Sequence, residues 1–227
     1  VNRFGISIES IRRDLLDMEK QGLLSRVHGG AIAKGEMKPY YDLRRRNEEF
    51  SDQKKALARK AAALVCEGEI IGIDTGSTAL AFAQALKERF SQLTVVTHSL
   101  DVFNCLRDHQ SFSVILCGGH YLQDENAFCG PLTLQMLAGL HMSKAFICPS
   151  AVSLEFGVCD YHSELFQIQQ QFMRCADSIC ILADSSKFEK KALLKLSDAK
   201  PEFTYVTDSS LGQQIETLYA ENGLQLL

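Results

Sequence analysis

Residues 69–78 read EIIGIDTGST, an apolar run that ends in an aspartate and a glycine-containing turn. The run Glu69–Asp74 predicts a buried β-strand, and the stretch Thr78–Arg89 has the pattern of a helix. Backbone N–H groups and the helix dipole make such a strand–turn–helix junction suited to an anion. An ordinary turn in which Ser77 caps the helix would have the same spacing. Spacing alone leaves both interpretations of Gly76-Ser77-Thr78 open.

The same alternation of apolar runs and helical stretches continues on both sides of this segment. The apolar runs that favour β-strands are Glu69–Asp74, Leu93–Thr97, Ser113–Cys117, Lys144–Cys148, Ser178–Ala183 and Phe203–Thr207. Helical patterns lie at Asp52–Val65, Thr78–Arg89, Ser99–Arg107, Leu132–Leu140, Glu164–Ala176 and Leu211–Glu221. Strands that are apolar throughout and separated by helices indicate an α/β fold, with a mainly parallel sheet covered by helices on both faces.

Polar residues and glycines follow several of these strands. In a parallel α/β sheet, ligands bind at the carboxyl ends of the strands, so these residues are candidates for a binding site. Lys187 offers a compact positive charge to an anion, and glycine lets the backbone approach a ligand closely. A plain turn explains Gly118-Gly119 nearly as well. The candidate effector-binding residues are Asp74, Gly76, Ser77, Thr78, Thr97, His98, Gly118, Gly119, Asp160, Glu164 and Lys187.

The segment Ser7–Lys20 predicts a short amphipathic helix that Ser7 is suited to cap. Its apolar residues share one face at spacings of three and four: Ile8, Ile11, Leu15 and Met18. The opposite face carries Ser10, Arg12 and Arg13, which is the chemistry of a recognition helix in the major groove. A solvated surface helix with two arginines would show the same pattern.

Residues 23–32 predict a β-hairpin with a tight turn at Gly29-Gly30. Arg26 and His28 flank that turn, so the tip is suited to contact DNA phosphates, as the wing of a winged helix-turn-helix does. Residues 1–60 carry 14 Lys and Arg against 9 Asp and Glu, whereas residues 61–227 carry 10 against 19. This asymmetry favours one part of the chain that meets phosphates and another that does not.

The sequence divides into three regions. Residues 1–33 contain the predicted helix and hairpin, residues 34–51 are predicted to form a linker, and residues 52–227 contain the predicted α/β domain. The linker is polar, contains Pro39 and includes Arg44-Arg45-Arg46, which we expect to be a solvated run. No apolar run reaches the ~18 residues of a membrane span, and no signal-peptide pattern opens the chain. We therefore expect a cytoplasmic protein without a membrane partner.

Several of these strings resemble the DeoR family of bacterial regulators. The DNA-binding part of that family has a stretch like S-x-x-T-I-R-R-D-L followed by R-x-H-G-G-A. Ile11–Leu15 and Arg26–Ala31 match it, with Ser10 in place of the usual threonine. The family's sensor motifs D-x-G-S-T and D-S-S-K-F are matched at Asp74–Thr78 and Asp184–Phe188.

The resemblance implies a sensor domain with the fold of ribose-5-phosphate isomerase and glucosamine-6-phosphate isomerase, a phosphorylated sugar as effector, and a homo-oligomer, dimer or tetramer, on operator DNA. It makes residues 1–33 a partial winged helix-turn-helix, with the family's first helix and most of its second before Val1, and residues 52–227 an effector-sensing domain. His98 stands where the family usually has asparagine, and Cys148–Ala151 differs from the glycine-rich sequence that the family more usually has there. The DNA-binding residues it implies are Ser7, Ser10, Arg12, Arg13, Arg26, His28 and Gly29.

The eight cysteines include no C-x-x-C pair, and most lie in apolar runs. Their spacing favours reduced core residues over a zinc or redox site, so we expect neither a metal nor a cofactor.

An enzyme of the same fold is the rival interpretation, either a sugar-phosphate isomerase or a CoA-transferase-like protein. The isomerase strings D-G-A-D and K-G-G-G do not occur, and Glu221-Asn222-Gly223, which resembles a CoA-transferase loop, is explained by a helix end. We therefore predict a DNA-binding regulator without catalytic residues. The simplest form is a repressor of a sugar-utilisation operon that a phosphorylated sugar releases or modulates.

Overall fold

The structure is a computed structural model that describes residues 8–20, 24–27, 30–33 and 43–227. The chain divides into two compact units, residues 1–40 and residues 41–227. Within the described residues, no helix is both long and apolar enough to cross a membrane.

The first unit contains one helix, α1 (Ile8–Lys20), among its described residues. Ile11 and Leu15 are half-buried on it, whereas Arg13 is exposed, as the amphipathic pattern predicts. Some of the predicted DNA contacts cannot be placed: Ser7, His28 and Gly29 lie outside the described residues, as do the side chains of Ser10, Arg12 and Arg26.

An antiparallel hairpin follows α1, formed by β1 (Leu24–Val27) and β2 (Gly30–Ala33). Gly30 pairs with Val27 and is the first residue of β2. It therefore belongs to the strand, so the prediction of Gly30 as a turn residue was wrong; Gly29 lies outside the described residues. The hairpin register determines this position, and a pair of adjacent glycines cannot specify it.

The second unit begins with two helices and then alternates helices with strands. Its helices are α2 (Leu43–Glu48), α3 (Ser51–Ala62), α4 (Ser77–Arg89), α5 (Leu100–Leu106), α6 (Pro131–Ala138), α7 (Ser163–Arg174) and α8 (Gln213–Glu221). Its strands are β3 (Ile70–Ile73), β4 (Leu93–Thr97), β5 (Phe112–Leu116), β6 (His120–Leu122), β7 (Ala127–Cys129), β8 (Met142–Ile147), β9 (Ala151–Ser153), β10 (Gly157–Asp160), β11 (Ala176–Leu182), β12 (Leu194–Ser197), β13 (Thr204–Val206) and β14 (Gln225–Leu226).

A seven-stranded sheet in the order β14-β13-β11-β8-β3-β4-β5 forms the centre of this unit, and every pairing within it is parallel. Each of the six predicted strands lies in this sheet, which confirms the α/β fold with a mainly parallel sheet. Two small antiparallel sheets, β12-β10-β9 and β6-β7, were not predicted.

Helices cover both faces of the central sheet. On one face, Ile71 and Ile73 of β3 pack with Leu57 and Phe82 from α3 and α4. On the other face, α7 approaches so closely that a Cβ on Gly72 would lie 2.8 Å from the ring of Phe172. Gly72 is therefore required by helix–sheet packing.

Helix α2 lies inside the stretch 34–51 that the composition predicts to be a linker. Leu43 is buried, and Arg46 forms an ion pair with the buried Glu125. Residues 43–48 are therefore helical and packed, and at Arg46 the expectation of a solvated basic run was wrong. A charge run gives no indication of a buried partner far away in the sequence.

Candidate effector-binding site

Polar side chains meet where neighbouring strands of the central sheet end. Asp74 follows β3, His98 follows β4, and the segment Cys148–Ser150 follows β8. Strand β11, which precedes Asp184–Lys187, pairs with β8. The carboxyl ends of these strands lie side by side, as expected for the ligand-binding edge of a parallel sheet.

Asp74 is fully buried, and both of its carboxylate oxygens have partners. Oδ1 lies 3.2 Å from Nε2 of His98. Oδ2 accepts hydrogen bonds from the backbone N–H of Cys148 at 3.0 Å and from Nε2 of Gln169 at 2.9 Å. A buried carboxylate is tolerated only when it is bonded in this way, so these contacts fix Asp74 in place.

A second buried carboxylate belongs to Asp160, the last residue of β10. Its Oδ1 accepts hydrogen bonds from Oγ of Ser150 at 2.9 Å and from the N–H of Tyr161 at 2.7 Å, and its Oδ2 accepts one from Nε2 of Gln169 at 3.0 Å. Gln169 therefore joins Asp160 to Asp74.

The electrostatics of this carboxylate pair depend on burial. Burial raises the pKa of Asp160 above its usual value; the hydrogen bond from Gln169 opposes this rise, and the charge of Asp74 adds to it. Oε1 of Gln169 has no hydrogen-bond partner among the described residues. The cluster thus combines two carboxylates with an open amide acceptor, a set that suits hydroxyl groups.

His98 is buried between two oxygen atoms. Its Nδ1 lies 2.7 Å from the carbonyl oxygen of Phe128, and its Nε2 lies 3.2 Å from Oδ1 of Asp74. A ring N–H can donate to either oxygen, according to the tautomer of the imidazole. His98 thus links the carboxylate of Asp74 to the backbone of β7.

The turn before α4 has the backbone of an anion-binding junction. Gly76 has φ 102° and ψ 177°, a conformation that favours glycine, and the helix begins at Ser77. Thr78, in the first turn of α4, is buried, and its Oγ1 has no hydrogen-bond partner within the described part of the chain. Free N–H groups and a hydroxyl at a helix start together suit an anion.

Two lysines add positive charge near this edge. Lys187 donates a hydrogen bond from Nζ to the carbonyl of Pro149 at 2.7 Å. Lys54 is buried, and its Nζ donates to the carbonyls of Arg46 and Glu49. Burial lowers the pKa of Lys54 to about 8, and the charges of Lys187 and Arg46 contribute to this shift.

Arg46 lies directly beside the turn. A Cβ built on Gly76 would be 3.6 Å from Nη1 of Arg46. Its Nη2 lies 2.5 Å from Oε1 of Glu125, a carboxylate that is 1% exposed. Arg46 therefore places a positive charge at the start of α4. The charges of Arg46 and Lys187 both act on Lys54, and Asp184 and Glu125 partly balance this group of cations.

Some predicted site residues have a structural role in this arrangement. Oγ1 of Thr97 donates to the carbonyl of Ile73 at 2.8 Å and accepts from the N–H of Ser99 at 3.1 Å. Glu164 is exposed in the first turn of α7, where Oγ of Ser163 donates to it at 2.9 Å. The structure does not bring Glu164 to the buried carboxylates.

The glycine pair after β5 has two different surroundings. A Cβ on Gly119 would lie 2.2 Å from Oγ1 of Thr133 and 2.7 Å from the carbonyl oxygen of Cys129. A Cβ on Gly118 would meet no atom within 4 Å. Close packing therefore explains Gly119, in agreement with the structural alternative for this pair.

The sequence did not identify several residues of this cluster: Arg46, Lys54, Glu125, Ser150 and Gln169. Arg46 stood out only as part of a basic run. Gln169 lies in the sequence QIQQQ, which gives no indication of which glutamine faces the sheet other than helical periodicity.

The cysteines do not contribute a cluster to this site. Five are buried, namely Cys117, Cys129, Cys159, Cys175 and Cys180, and all eight are free. Burial raises the pKa of the Cys117 thiol to about 11, which keeps it protonated. Within the described ranges, no group of His, Cys, Asp and Glu side chains is placed to hold a metal ion.

Two family models match this chain. The DeoR-like helix-turn-helix domain covers residues 1–36, and the DeoR C terminal sensor domain covers residues 49–209. The chain therefore belongs to the DeoR family of transcriptional regulators, which confirms the resemblance drawn from its motifs.

Individual relatives carry regulator names. An L-fucose operon activator of Haemophilus influenzae is 31% identical over 93% of this chain and 84% of that protein. A lactose phosphotransferase system repressor of Lactococcus lactis is 31% identical over 94% of this chain and 84% of that protein. The chain is therefore a transcriptional regulator of the same family as these relatives.

Solved structures with a similar fold include more distant proteins. Ribose 5-phosphate isomerase A of Methanocaldococcus jannaschii matches with a TM-score of 0.46 at 20% identity, over 62% of this chain and 56% of that chain. The eIF2B beta subunit of Chaetomium thermophilum matches with a TM-score of 0.50 at 14% identity, over 77% and 54%. The chain thus spans little more than half of each protein, and these matches concern the fold alone.

Proposed function

We propose that this regulator represses a sugar-utilisation operon and that a phosphorylated sugar, bound at the carboxyl edge of the central sheet, modulates its hold on operator DNA. The names of two relatives support a sugar operon, since they refer to L-fucose and to lactose.

One observation carries the effector assignment. The start of α4 and the side chains of Arg46, Lys54 and Lys187 form a positive region next to two buried carboxylates that Gln169 bridges. A positive helix start suits a phosphate, and a carboxylate cluster with an open acceptor suits hydroxyl groups. A phosphorylated sugar carries both kinds of group on one small molecule.

The proposed ligand orientation follows from this division. The phosphate would contact the backbone and hydroxyls of Gly76-Ser77-Thr78, with Lys187 as its counter-charge. The sugar hydroxyls would face the cluster of Asp74, Asp160 and Gln169. His98 would act on the ligand indirectly, through its contact with Asp74. Glu164 is exposed, which favours a place for it at the rim.

The DNA-binding role rests on the first unit. Arg13 is exposed on α1, and the hairpin β1-β2 follows in the position of a wing. We propose that a dimer or tetramer places α1 in the major groove of repeated half-sites. The effector then changes operator affinity because it binds one arrangement of the regulator better than another.

Thermal unfolding with a panel of sugar phosphates and the matching free sugars tests the effector assignment. We expect one sugar phosphate to raise the midpoint, because a ligand of the folded state stabilises it by mass action, and the free sugar to have little effect. Lys187→Ala should abolish the shift, whereas the exposed Lys190→Ala should retain it.

A second pair of variants distinguishes the loss of ligand binding at the turn from the destabilisation that backbone strain causes at any glycine with positive φ. Gly76 and Gly68 both have positive φ, 102° and 78°, but only Gly76 belongs to the turn before α4. Gly76→Val should abolish the ligand-induced shift, while Gly68→Val should destabilise the protein and still respond. If Gly76→Val responds like the wild type, the phosphate does not bind at this turn.

A further inference from the structure

Glu125 is a buried carboxylate in which one oxygen forms ion pairs and the other has no hydrogen-bond partner among the described residues. It ends a short 3-10 turn, residues 123–125, between β6 and β7 and is 1% exposed. Oε1 lies 2.5 Å from Nη2 of Arg46 and 3.5 Å from Nε2 of His162. Oε2 has no hydrogen-bond partner in the described part of the chain. A buried acceptor without a partner costs free energy, so this carboxylate is only partly satisfied.

The position of Glu125 connects it to the turn that begins α4. Oγ1 of Thr75 donates a hydrogen bond to the carbonyl of Glu125 at 3.2 Å. Arg46 lies between the two features, because its Nη1 is 3.6 Å from a Cβ built on Gly76 while its Nη2 contacts Glu125. The guanidinium therefore faces a carboxylate on one side and the candidate phosphate subsite on the other.

A second unsatisfied group lies at the same turn. Oγ1 of Thr78 is buried and, among the described residues, has no hydrogen-bond partner. A hydroxyl can donate to an anion, and a guanidinium binds phosphate with the same fork of N–H groups that it offers to a carboxylate. The turn thus holds a buried donor, a helix start and an arginine whose partner is an anion of the protein itself.

We propose that Glu125 is an internal competitor for the effector: its carboxylate and the effector's phosphate bind the same arginine, Arg46, and the phosphate displaces Glu125 when it binds. This inference rests on the proposed function, because it assigns the phosphate to the turn before α4. Arg46 belongs to α2, which starts shortly after the first unit ends at residue 40. Arg46 would therefore exchange Glu125 for the phosphate on α2, the first described element of the second unit.

The competing explanation is a purely structural ion pair that holds α2 to the sensor domain. The two explanations differ in what happens when the charge of Glu125 is removed. A structural pair predicts a less stable protein with unchanged or weaker phosphate binding. A competitor predicts tighter phosphate binding, because Arg46 no longer has to leave an ionised partner.

Calorimetric titration of the full chain with inorganic phosphate and with ribose 5-phosphate tests the inference. Glu125→Gln keeps the shape and removes the charge, and we expect it to tighten phosphate binding about tenfold. Arg46→Gln should weaken binding, and Glu125→Gln should give no gain in the Arg46→Gln background. Glu155→Gln is the matched control, because Glu155 pairs with Lys191 at the surface, and it should bind like the wild type.

Glu125→Asp provides a second variant, because its shorter side chain loosens the contact with Arg46 without removing the charge; we expect a smaller gain. Equal or weaker phosphate binding in both Glu125 variants would overturn the inference, as would a gain that persists without Arg46. The proposed function has its own test: it is wrong if no sugar phosphate raises the unfolding midpoint in a way that depends on Lys187. If such a Lys187-dependent rise occurs but the Glu125 variants bind phosphate like the wild type, only the role of Glu125 as a competitor is rejected.

Discussion

Asp74 and Asp160 accept hydrogen bonds from the same side-chain nitrogen, Nε2 of Gln169, at 2.9 Å and 3.0 Å. This shared donor joins β3, β10 and α7 at the edge of the central sheet. It also offsets part of the repulsion between two buried carboxylates, which would otherwise favour protonation of one of them. Gln169 is therefore the residue on which the shape of the proposed sugar subsite depends most.

Gln169→Met should lower the free energy of unfolding by about 2–4 kcal/mol, because both carboxylates lose a buried hydrogen-bond donor. Chemical denaturation at neutral pH measures this change. Gln167→Met is the control: the side chain is exposed on the same helix, so its effect should stay within about 0.5 kcal/mol. Similar losses in the two variants would show that the bridge does not hold the cluster together.

The two glycines after β5 should respond differently to alanine. Gly119→Ala should lower the free energy of unfolding by about 1–3 kcal/mol, because the new Cβ would overlap Oγ1 of Thr133 and the backbone of Cys129. Gly118→Ala should have little effect, since nothing lies within 4 Å of its Cβ position. A thermal unfolding comparison distinguishes them, and equal midpoints would contradict the packing described for this turn.

The central sheet could be predicted from the sequence because its strands are continuous apolar runs. The predicted run Ser178–Ala183 and the observed Ala176–Leu182 differ by one or two residues at their ends. The small sheets were missed because their strands, such as Ala151–Ser153, have too few residues to show a period. The packed helix α2 was missed because its polar composition is typical of a linker.

The candidate site could be predicted in part. Asp74 and Lys187 follow strands of a parallel sheet, and strand ends are where such folds bind ligands. Gln169 and Glu125 reach the site from a helix and from a turn between two short strands, and their contacts join residues far apart in the sequence. No local pattern encodes such contacts, so only the folded structure reveals them.

The affinity for a phosphorylated sugar should fall by about 1–2 kcal/mol as the pH rises through about 8, where Lys54 loses its proton. Below that pH Lys54 is charged and attracts the anion; above it the attraction is lost. Lys187 and Arg46 act with burial to lower the pKa, and Asp184 and Glu49 oppose them. Binding isotherms between pH 7 and 9 measure the effect, since a phosphate monoester is a dianion throughout that range.

Lys54→Arg is the control for this profile, because arginine stays charged over the whole range. Its affinity should depend much less on pH than that of the wild type. A wild-type affinity that stays constant from pH 7 to pH 9 would mean that the charge of Lys54 does not contribute to ligand binding.

Arg12→Ala and Arg13→Ala should each weaken operator binding by about 1–3 kcal/mol, in a protein that includes the complete helix-turn-helix. The reason is that arginines on a recognition helix contact bases or phosphates. Fluorescence anisotropy with labelled operator DNA measures the loss. Arg107→Ala removes the same charge from an exposed position in the second unit and should bind normally. Unchanged affinity in the double variant Arg12→Ala/Arg13→Ala would contradict the assignment of α1.

We propose that a phosphorylated sugar, held by the turn at Gly76 and by Lys187, controls operator binding. The most direct measurement is operator affinity with and without the sugar phosphate that gives the largest thermal shift, for the wild type and for Lys187→Ala. We predict that the sugar phosphate weakens operator binding by the wild type, that the free sugar does not, and that Lys187→Ala binds the operator normally without responding. A Lys187→Ala variant that releases DNA at the same effector concentration as the wild type would show that the effector does not act through this site.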